Sequence, residues 1–324
     1  MSANRLPLLR GPEVPIDGLI GKKISVIGYG NQGRVHAQNL RESGLDVSVN
    51  ARNPDIAIED GFAPITIEDA STSDLVIIAL PDEIQGEIFT AQIEPNLHHG
   101  TVLGFIHGFS VHYGHITPPA GTGIVMVAPK SPGVTVREKF LEGSGVPALL
   151  AVETENESNT ARAIALGWAA GIGSARVGVF ESTFADETET DLFGEQAVIV
   201  GGLAALVKAS YETLIEAGYP PQLAYIECCH EVKQVADILQ EKGMSDMMAS
   251  ISNTAEMGAY VAMDLLDDEH LRNHLRTLLQ DVRDGSFAKR LVDRTIKSKQ
   301  EELRNHEIDQ VGKEIRSLMR PDTD

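Results

Sequence analysis

Two pairs of acidic residues, each spaced four positions apart, stand in consecutive apolar segments that we predict to be helical. The first pair is Asp191 and Glu195, and the second is Glu227 and Glu231. Residues i and i+4 share one face of a helix, where like charges repel each other unless a cation lies between them. The residues around Glu227 are largely apolar, so we expect that helix to be substantially buried, and bare buried carboxylates are very costly. Because Mg²⁺ prefers such oxygen ligands, the two pairs indicate a magnesium site.

Either pair alone could be an exposed helix face, which leaves an alternative open for each. The first pair also ends an acidic run, "ADETETDLFGE", that includes Asp186, Glu187 and Glu189. Carboxylates in a first helical turn complement the helix dipole, so we expect these three to remain solvated.

A glycine-rich turn, "GYGNQG", lies between a β-branched strand and a helix. Its glycines, Gly28, Gly30 and Gly33, have the G-x-G-x-x-G spacing of a dinucleotide-binding turn. Gly28 permits the tight turn, Gly30 lets the backbone approach a pyrophosphate, and Gly33 lets the helix pack against the strand. The turn predicts a dinucleotide cofactor, whereas a plain strand-to-helix turn is the alternative.

The end of the next strand, "VNARNPD", bears on the choice of cofactor. An acid there would bind a free ribose 2′-hydroxyl, and a nearby arginine suits a 2′-phosphate. Asn50 and Arg52 stand where the acid would be, which favours NADPH. Asp55 is close enough to repel a phosphate, so NADH remains open.

Three short segments follow the ends of later strands and are predicted to line the same cleft. They are "PDEIQ" with Asp82 and Gln85, "HG" with His107, and "PKSPG" with Lys130. Ligands in doubly wound sheets lie beyond the carboxyl ends of the strands, where these segments converge. The alternatives are that Asp82 and Gln85 cap a helix, that His107 binds its own backbone, and that Lys130 is a surface residue.

The elements that position these residues change character along the chain. Short apolar strands alternate with helices over residues 1–182, which predicts a Rossmann-type, doubly wound parallel sheet that binds a dinucleotide. Long helices fill residues 183–324, which predicts an all-α domain that carries the proposed metal site. We expect its first helix to run from about Asp191 to Ala217 and its second to end at Gly243. We expect Ser252 to lie within a third helical segment.

Composition limits the class of protein. The chain has 324 residues, of which 42% are hydrophobic and 23% charged, as in soluble globular proteins. Its net charge of −20 argues against nucleic acid or an anionic membrane as the main partner. We find no apolar run close to the length of a membrane span and no secretory signal, so we expect a cytoplasmic protein with Cys228 and Cys229 reduced.

Seven motifs in register give the chain a resemblance to one enzyme family. They are "GYGNQG", "LPDEIQ", "HGFSVHYG", "VAPKSPG", "ETETDLFGEQ", "ECCHEVK" and "SISNTAE". Together they resemble ketol-acid reductoisomerase, the acetohydroxy acid isomeroreductase of branched-chain amino-acid biosynthesis. The chain length is similar to the short, class I form. That form implies a knotted, interlocking helical domain that a second subunit completes, and so a homodimer or higher homo-oligomer.

The resemblance also implies roles for individual residues. Asp191, Glu195, Glu227 and Glu231 would hold two Mg²⁺ ions, with the second pair contributed by the partner subunit. Ser252 would bind the substrate carboxylate, also across the interface. His107 and Lys130 would line the catalytic centre, and Glu231, or a water bound to the metal, would transfer protons. The residues that would contact the cofactor are Gly28, Tyr29, Gly30, Asn31, Gln32, Gly33, Arg52, Asp82, Gln85 and Gly133.

The implied reaction is an NADPH-dependent isomeroreduction of 2-acetolactate or 2-aceto-2-hydroxybutyrate. Ser131 after the lysine, and Ala249 and Met257 beside "SISNTAE", depart from the family pattern and are typical of a divergent paralogue. One alternative is therefore a related reductase or isomeroreductase that acts on a different 2-keto or 2-hydroxy acid in a specialised pathway. The other is a nucleotide-binding dimer that has lost turnover, although retention of all four acids argues against it.

Overall fold

The computed structural model describes residues 5–292 and 296–319. The chain forms two compact units, one up to Thr190 and one from Asp191 onward. The sequence predicted a boundary after residue 182, just before the helix Phe184–Gly194 begins, whereas the division between the units falls inside that helix.

The first unit is built on a mixed eight-stranded sheet. Its strands follow one another in the spatial order β1-β8-β7-β6-β5-β4-β2-β3. Neighbours from β3 to β6 are parallel, as predicted, but β7 is antiparallel to β6 and β1 is antiparallel to β8. The strands are β1 Leu8–Leu9, β2 Lys23–Ile27, β3 Asp46–Asn50, β4 Leu75–Ile78, β5 Val102–Phe105, β6 Gly123–Pro129, β7 Ala148–Thr154 and β8 Val179–Glu181.

The central strands are apolar throughout because both faces of the sheet are covered. In β4, Leu75 and Ile77 belong to one buried cluster, and Val76 and Ile78 belong to the other. This division follows from the alternation of side chains along a strand. The helices of this unit that precede residue 184 are α1 Asn31–Glu42, α2 Pro54–Glu59, α3 Ile67–Ala70, α4 Asp82–Ile88, α5 Phe109–His112, α6 Gly133–Leu141 and α7 Ala161–Gly171.

The regular elements described in the second unit are all helical, as predicted. A small core formed by residues such as Tyr211, Tyr225 and Ile315 packs its helices together. Helix α8, Phe184–Gly194, leads into it from the first unit. The other helices are α9 Gly201–Glu216, α10 Pro221–Tyr225, α11 Val232–Ala249, α12 Asn253–Leu266, α13 Glu269–Arg283, α14 Ser286–Val292, α15 Ile296–Asn305 and α16 Glu307–Leu318.

One helix boundary differs from prediction, and the predicted end at Gly243 is confirmed as an interruption of the helix. The helix expected to start at Asp191 starts at Phe184, and a π-helical turn over Glu195–Ile199 joins it to α9. Gly243, where we predicted the second helix to end, has the non-helical angles φ 79° and ψ 169°, so two helices meet at a kink there within the span Val232–Ala249. Since Gly243 has no Cβ, it can take this conformation, which interrupts the helix.

The continuous helix Phe184–Glu216 changes one conclusion drawn from composition. This helix has 33 residues and contains an 18-residue stretch with a mean hydropathy of 1.5, of which only 6% is buried. By length and composition alone, it could therefore cross a membrane. The expectation that no apolar run approaches that length was therefore wrong. The reason is that the π turn joins two apolar segments into one helix. Length and composition alone are weak grounds for a membrane span, since helices of soluble proteins also meet these criteria.

Candidate active site

The glycine turn is shaped by contacts that leave no room for side chains. Gly28 has φ +100°, and a Cβ there would lie 2.5 Å from the carbonyl oxygen of Ala79. A Cβ at Gly33 would lie 2.0 Å from the carbonyl oxygen of Gly28. At Gly30, by contrast, a Cβ would meet nothing within 4 Å. The turn therefore packs closely against β4 and leaves open space at Gly30, which fits an approaching pyrophosphate.

The loop after β6 packs on this glycine turn. The side-chain amide of Gln32 donates a hydrogen bond to the carbonyl oxygen of Ser131 at 3.0 Å. A Cβ at Gly133 would lie 2.3 Å from the carbonyl oxygen of Asn31. The predicted cofactor contacts Asn31, Gln32 and Gly133 are thus neighbours in space, although about a hundred residues separate them.

The remaining predicted cofactor contacts have structural partners or lie in solvent. The hydroxyl of Tyr29 donates to Asp60 at 2.9 Å. The amide of Gln85 donates to the carbonyl oxygen of Leu80 and to Asp82, at 2.7 and 3.0 Å, so these two side chains are held together at the start of α4. Arg52 is exposed two residues after β3.

The centre of the site is Glu187, a residue that the sequence analysis left in solvent. Its side chain is 1% exposed. His107 Nδ1 lies 3.0 Å from Oε2, the backbone N–H of Gly108 donates to Oε2 at 2.9 Å, and Lys130 Nζ donates to Oε1 at 2.6 Å. His107 follows β5 and Lys130 follows β6, so the two strand ends converge on one carboxylate, as the fold predicts.

These contacts settle the charge of Glu187. Burial on its own raises the pKa of a carboxyl group, but the hydrogen bond from His107 and the charges of His107 and Lys130 outweigh it. They lower the pKa of Glu187 to about 2. The group is therefore a carboxylate at neutral pH, held in a buried and positively charged setting.

The prediction that Glu187 is solvated was wrong, and the reason is tertiary. The residues that bury Glu187 include His107 and Lys130, which are 80 and 57 residues away in the chain. No local sequence pattern shows this burial. One signal was available in the spacing, because Glu187 precedes Asp191 by four residues. Glu187, Asp191 and Glu195 thus form a ladder of carboxylates at successive turns.

The predicted metal ligands differ in exposure. Asp191 is half-buried, whereas Glu195, Glu227 and Glu231 are exposed in the single chain. The expectation that the helix around Glu227 is substantially buried was therefore wrong for one chain. Among the described residues of the second unit, the two pairs do not come together into a cluster that could share an ion.

Ser252 is not inside a helix but at its start. It is the N-cap of α12, and its Oγ accepts a hydrogen bond from the backbone N–H of Ala255 at 3.2 Å. Its side chain is exposed, so one face of this hydroxyl remains accessible.

A glycine turn at the first strand-to-helix crossover and charged groups at the strand ends define a dinucleotide-dependent oxidoreductase. Family models match residues 18–178 as the "Acetohydroxy acid isomeroreductase, NADPH-binding domain" and residues 184–321 as the "Ketol-acid reductoisomerase, C-terminal domain". The chain belongs to the ketol-acid reductoisomerase family and is an oxidoreductase that uses a nicotinamide cofactor. The resemblance seen in the sequence is confirmed.

Solved structures agree with this assignment. A structure described as an NADH-preferring ketol-acid reductoisomerase from an uncultured archean is 39% identical, with 97% of this chain and 99% of that chain covered and a TM-score of 0.93. A semialdehyde dehydrogenase NAD-binding protein from Cupriavidus necator is 20% identical over 81% of this chain and 99% of its own, with a TM-score of 0.60. At that identity the likeness shows the fold alone.

Proposed function

We propose that this chain is a magnesium-dependent isomeroreductase that converts 2-acetolactate and 2-aceto-2-hydroxybutyrate into 2,3-dihydroxy acids for valine and isoleucine biosynthesis. In this reaction an alkyl group migrates to the neighbouring carbonyl carbon and the new ketone is reduced. The observation that carries the proposal is the buried carboxylate of Glu187, bound by Lys130 and His107 one turn before Asp191.

The donor set fits a hard divalent cation. Glu187 is charged at neutral pH, and Asp191 and Glu195 repeat its position at successive helical turns, so carboxylate oxygens line one face of the helix. We assign two Mg²⁺ ions to Asp191, Glu195, Glu227 and Glu231. Bound Mg²⁺ would polarise the substrate's hydroxyl and carbonyl oxygens and stabilise the charge that develops during migration.

The chain's own residues have distinct tasks in this scheme. His107 and Lys130 together keep Glu187 ionised, so that the carboxylate holds both side chains in one orientation. We assign the transfer of the substrate hydroxyl proton to Glu231, since a carboxylate within reach of that proton can act as a general base. Ser252 would bind the substrate carboxylate through its exposed hydroxyl.

We propose NADPH as the cofactor, which would supply the hydride for the reduction. The support is Arg52, exposed just after β3 where a cation suits a ribose 2′-phosphate. The open space at Gly30 leaves the backbone accessible to the pyrophosphate. NADH belongs in the same assay, because a related archaeal structure is described as NADH-preferring.

We further propose a cytoplasmic homodimer, or a higher assembly of dimers, in which Glu227, Glu231 and Ser252 come from the second subunit. Exposed apolar side chains in the π turn support it, since Val198 and Ile199 are 67% and 66% exposed. Apolar residues at this exposure are typical of a surface that another chain covers.

The test follows oxidation of NADPH and of NADH with 2-acetolactate, in Mg²⁺ and in excess chelator. We expect turnover that chelator abolishes and Mg²⁺ restores. Glu231→Gln should abolish isomerisation while NADPH affinity stays within about twofold, because the substituted group is the base and not a cofactor ligand. Isomerisation at the wild-type rate in that variant would show the assignment of Glu231 to be wrong. Reduction of simple 2-keto acids without turnover of 2-acetolactate would contradict the proposed substrate.

A further inference from the structure

The helix that carries Asp191 and Glu195 does not continue into α9 as a regular α-helix. Between Glu195 and Ile199 it makes a π-helical turn, in which the backbone N–H of Val200 donates to the carbonyl oxygen of Glu195 at 3.0 Å. This is an i→i+5 bond, one residue longer than the α-helical bond. Single π turns inside α-helices are rare and often occur at functional sites.

Two glycines follow this turn, and each is in a place where a side chain would strike the backbone. A Cβ at Gly201 would lie 2.4 Å from the carbonyl oxygen of Gln196, and a Cβ at Gly202 would lie 2.0 Å from that of Ala197. Each contact is with the carbonyl oxygen of the residue five positions earlier, and both of those residues belong to the π turn. Because the obstacle is backbone, a Cβ at either position requires the turn itself to change.

The second acidic pair shows that this requirement is not general to π turns. After the π turn Ile226–His230, the positions that correspond to Gly201 and Gly202 are occupied by Val232 and Lys233, neither of which is glycine. The backbone after the two turns differs, with φ −120° and ψ −65° at Val200 but φ −77° and ψ −13° at Glu231. The first turn is therefore the more distorted one, and the glycines accompany that distortion.

We propose that Gly201 and Gly202 are positioning residues, which set the direction of Asp191 and Glu195 relative to α9 by permitting the π turn. The inference rests on the proposed function, because it takes these two carboxylates to be metal ligands. A π turn contains one residue more than the α-helical turn it replaces. Its loss would rotate the two acids relative to α9 by about 100°, the angle of one helical residue. Helix α9 cannot follow freely, because Tyr211 is 1% exposed in the core of its unit.

The test measures Mn²⁺ binding to the full-length protein by electron paramagnetic resonance, since Mn²⁺ takes the same oxygen ligands as Mg²⁺. Gly202→Ala should weaken Mn²⁺ binding by at least about tenfold, as loss of a ligand-orienting partner does. Its NADPH affinity should stay within about twofold of wild type, because the glycine turn lies in the other unit. Gly194→Ala is the matched control in the same helix. A Cβ there meets only Ile199 Cδ1, at 3.8 Å, so this variant should bind Mn²⁺ like wild type.

Two further variants make the result decisive. Glu195→Gln tests the metal assignment itself. If this variant binds Mn²⁺ like wild type, the metal site lies elsewhere and both proposals fail. If Glu195→Gln weakens binding and Gly202→Ala does not, the inference about the glycines alone is overturned. Should Gly202→Ala fold poorly, deletion of the exposed Val198 in that background removes the extra residue of the π turn. Recovery of Mn²⁺ binding supports the proposal, and folding without recovery overturns it.

Discussion

Lys130 Nζ lies 2.6 Å from Oε1 of Glu187, and 57 residues separate the two along the chain. Helix α8 also packs directly on the loop after β5, because a Cβ at Gly108 would lie 2.4 Å from Thr188 Oγ1. The Glu187 carboxylate is thus bound at once from the ends of β5 and β6. Its charge and position therefore depend on both strand ends, and several properties of the enzyme should depend on it.

Replacing this carboxylate with an amide should affect turnover far more than cofactor binding. Glu187→Gln keeps the shape but cannot provide the charge that Lys130 and His107 share, so kcat should fall by about 100-fold or more. Steady-state kinetics and NADPH fluorescence titration measure the two effects. Asp186→Asn is the matched control, because Asp186 is the exposed neighbour in the same helical turn. Equal losses in both variants would contradict a special role for Glu187.

Removal of the lysine charge should move the pH dependence of turnover. In wild type the pKa of Glu187 is about 2, so its protonation does not limit activity near neutrality. In Lys130→Met the carboxyl remains buried but loses a neighbouring cation, and its pKa should rise. The acidic limb of the kcat profile should then shift to higher pH, in addition to a fall in the maximum. A profile that falls in height without shifting would show that Lys130 does not control this charge.

The same carboxylate should contribute to stability in a defined pH window. Its folded-state pKa, about 2, lies below its ordinary value of 4.5, so its contribution is complete above pH 4.5 and is lost as the pH falls toward 2. The shift in pKa corresponds to about 3 kcal/mol of folding free energy. Urea unfolding of wild type and of Glu187→Gln at pH 7 and pH 3.5 should show that part of this difference in stability is lost at the lower pH. Burial lowers the pKa of His36 to about 3, so its contribution to the free energy of unfolding decreases as the pH falls below 6.5. This contribution is the same in both proteins and cancels in the difference between them. A difference that is constant with pH would contradict the prediction.

The parts of this molecule that the sequence predicted are those with local signals. The spacing of Gly28, Gly30 and Gly33 after a β-branched strand predicted both the turn and its cofactor, because backbone approach depends on those residues alone. His107 and Lys130 were predicted to lie close together because parallel strands end at one edge of a sheet, and both contact Glu187. Nothing local indicated that β7 is antiparallel to β6, since strand direction is set by the path of the chain between them.

Glu187 and Glu227 mark the other limit of sequence reasoning. A carboxylate is buried or exposed according to what packs on it, and the partners of Glu187 are distant in the chain. Apolar neighbours around Glu227 predicted burial, yet its side chain is exposed in one chain. Apolar composition shows that a surface is to be covered, but it does not distinguish cover by the same chain from cover by a second one.

Arg52 should determine the preference between the two nicotinamide cofactors. Arg52→Ala removes an exposed cation, and we expect KM for NADPH to rise by about tenfold or more, the loss typical of a hydrogen bond to a charged group. KM for NADH should stay within about twofold, because NADH has no 2′-phosphate for the arginine to bind. The NADH measurement on the same variant is therefore the internal control. Equal changes for both cofactors would place the 2′-phosphate elsewhere.

The glycine turn offers a final contrast between folding and binding. A Cβ at Gly30 meets nothing within 4 Å, and its backbone, with φ −91°, is one that other residues adopt. Gly30→Ala should therefore keep the wild-type Tm but weaken NADPH binding, because the methyl group occupies the space in which the pyrophosphate approaches the backbone. Gly33→Ala should lower both the Tm and the affinity for NADPH, because a Cβ there would lie 2.0 Å from a backbone carbonyl oxygen. Calorimetry and fluorescence titration of the two variants separate these effects. If Gly30→Ala binds NADPH as tightly as wild type, the pyrophosphate does not approach at this turn.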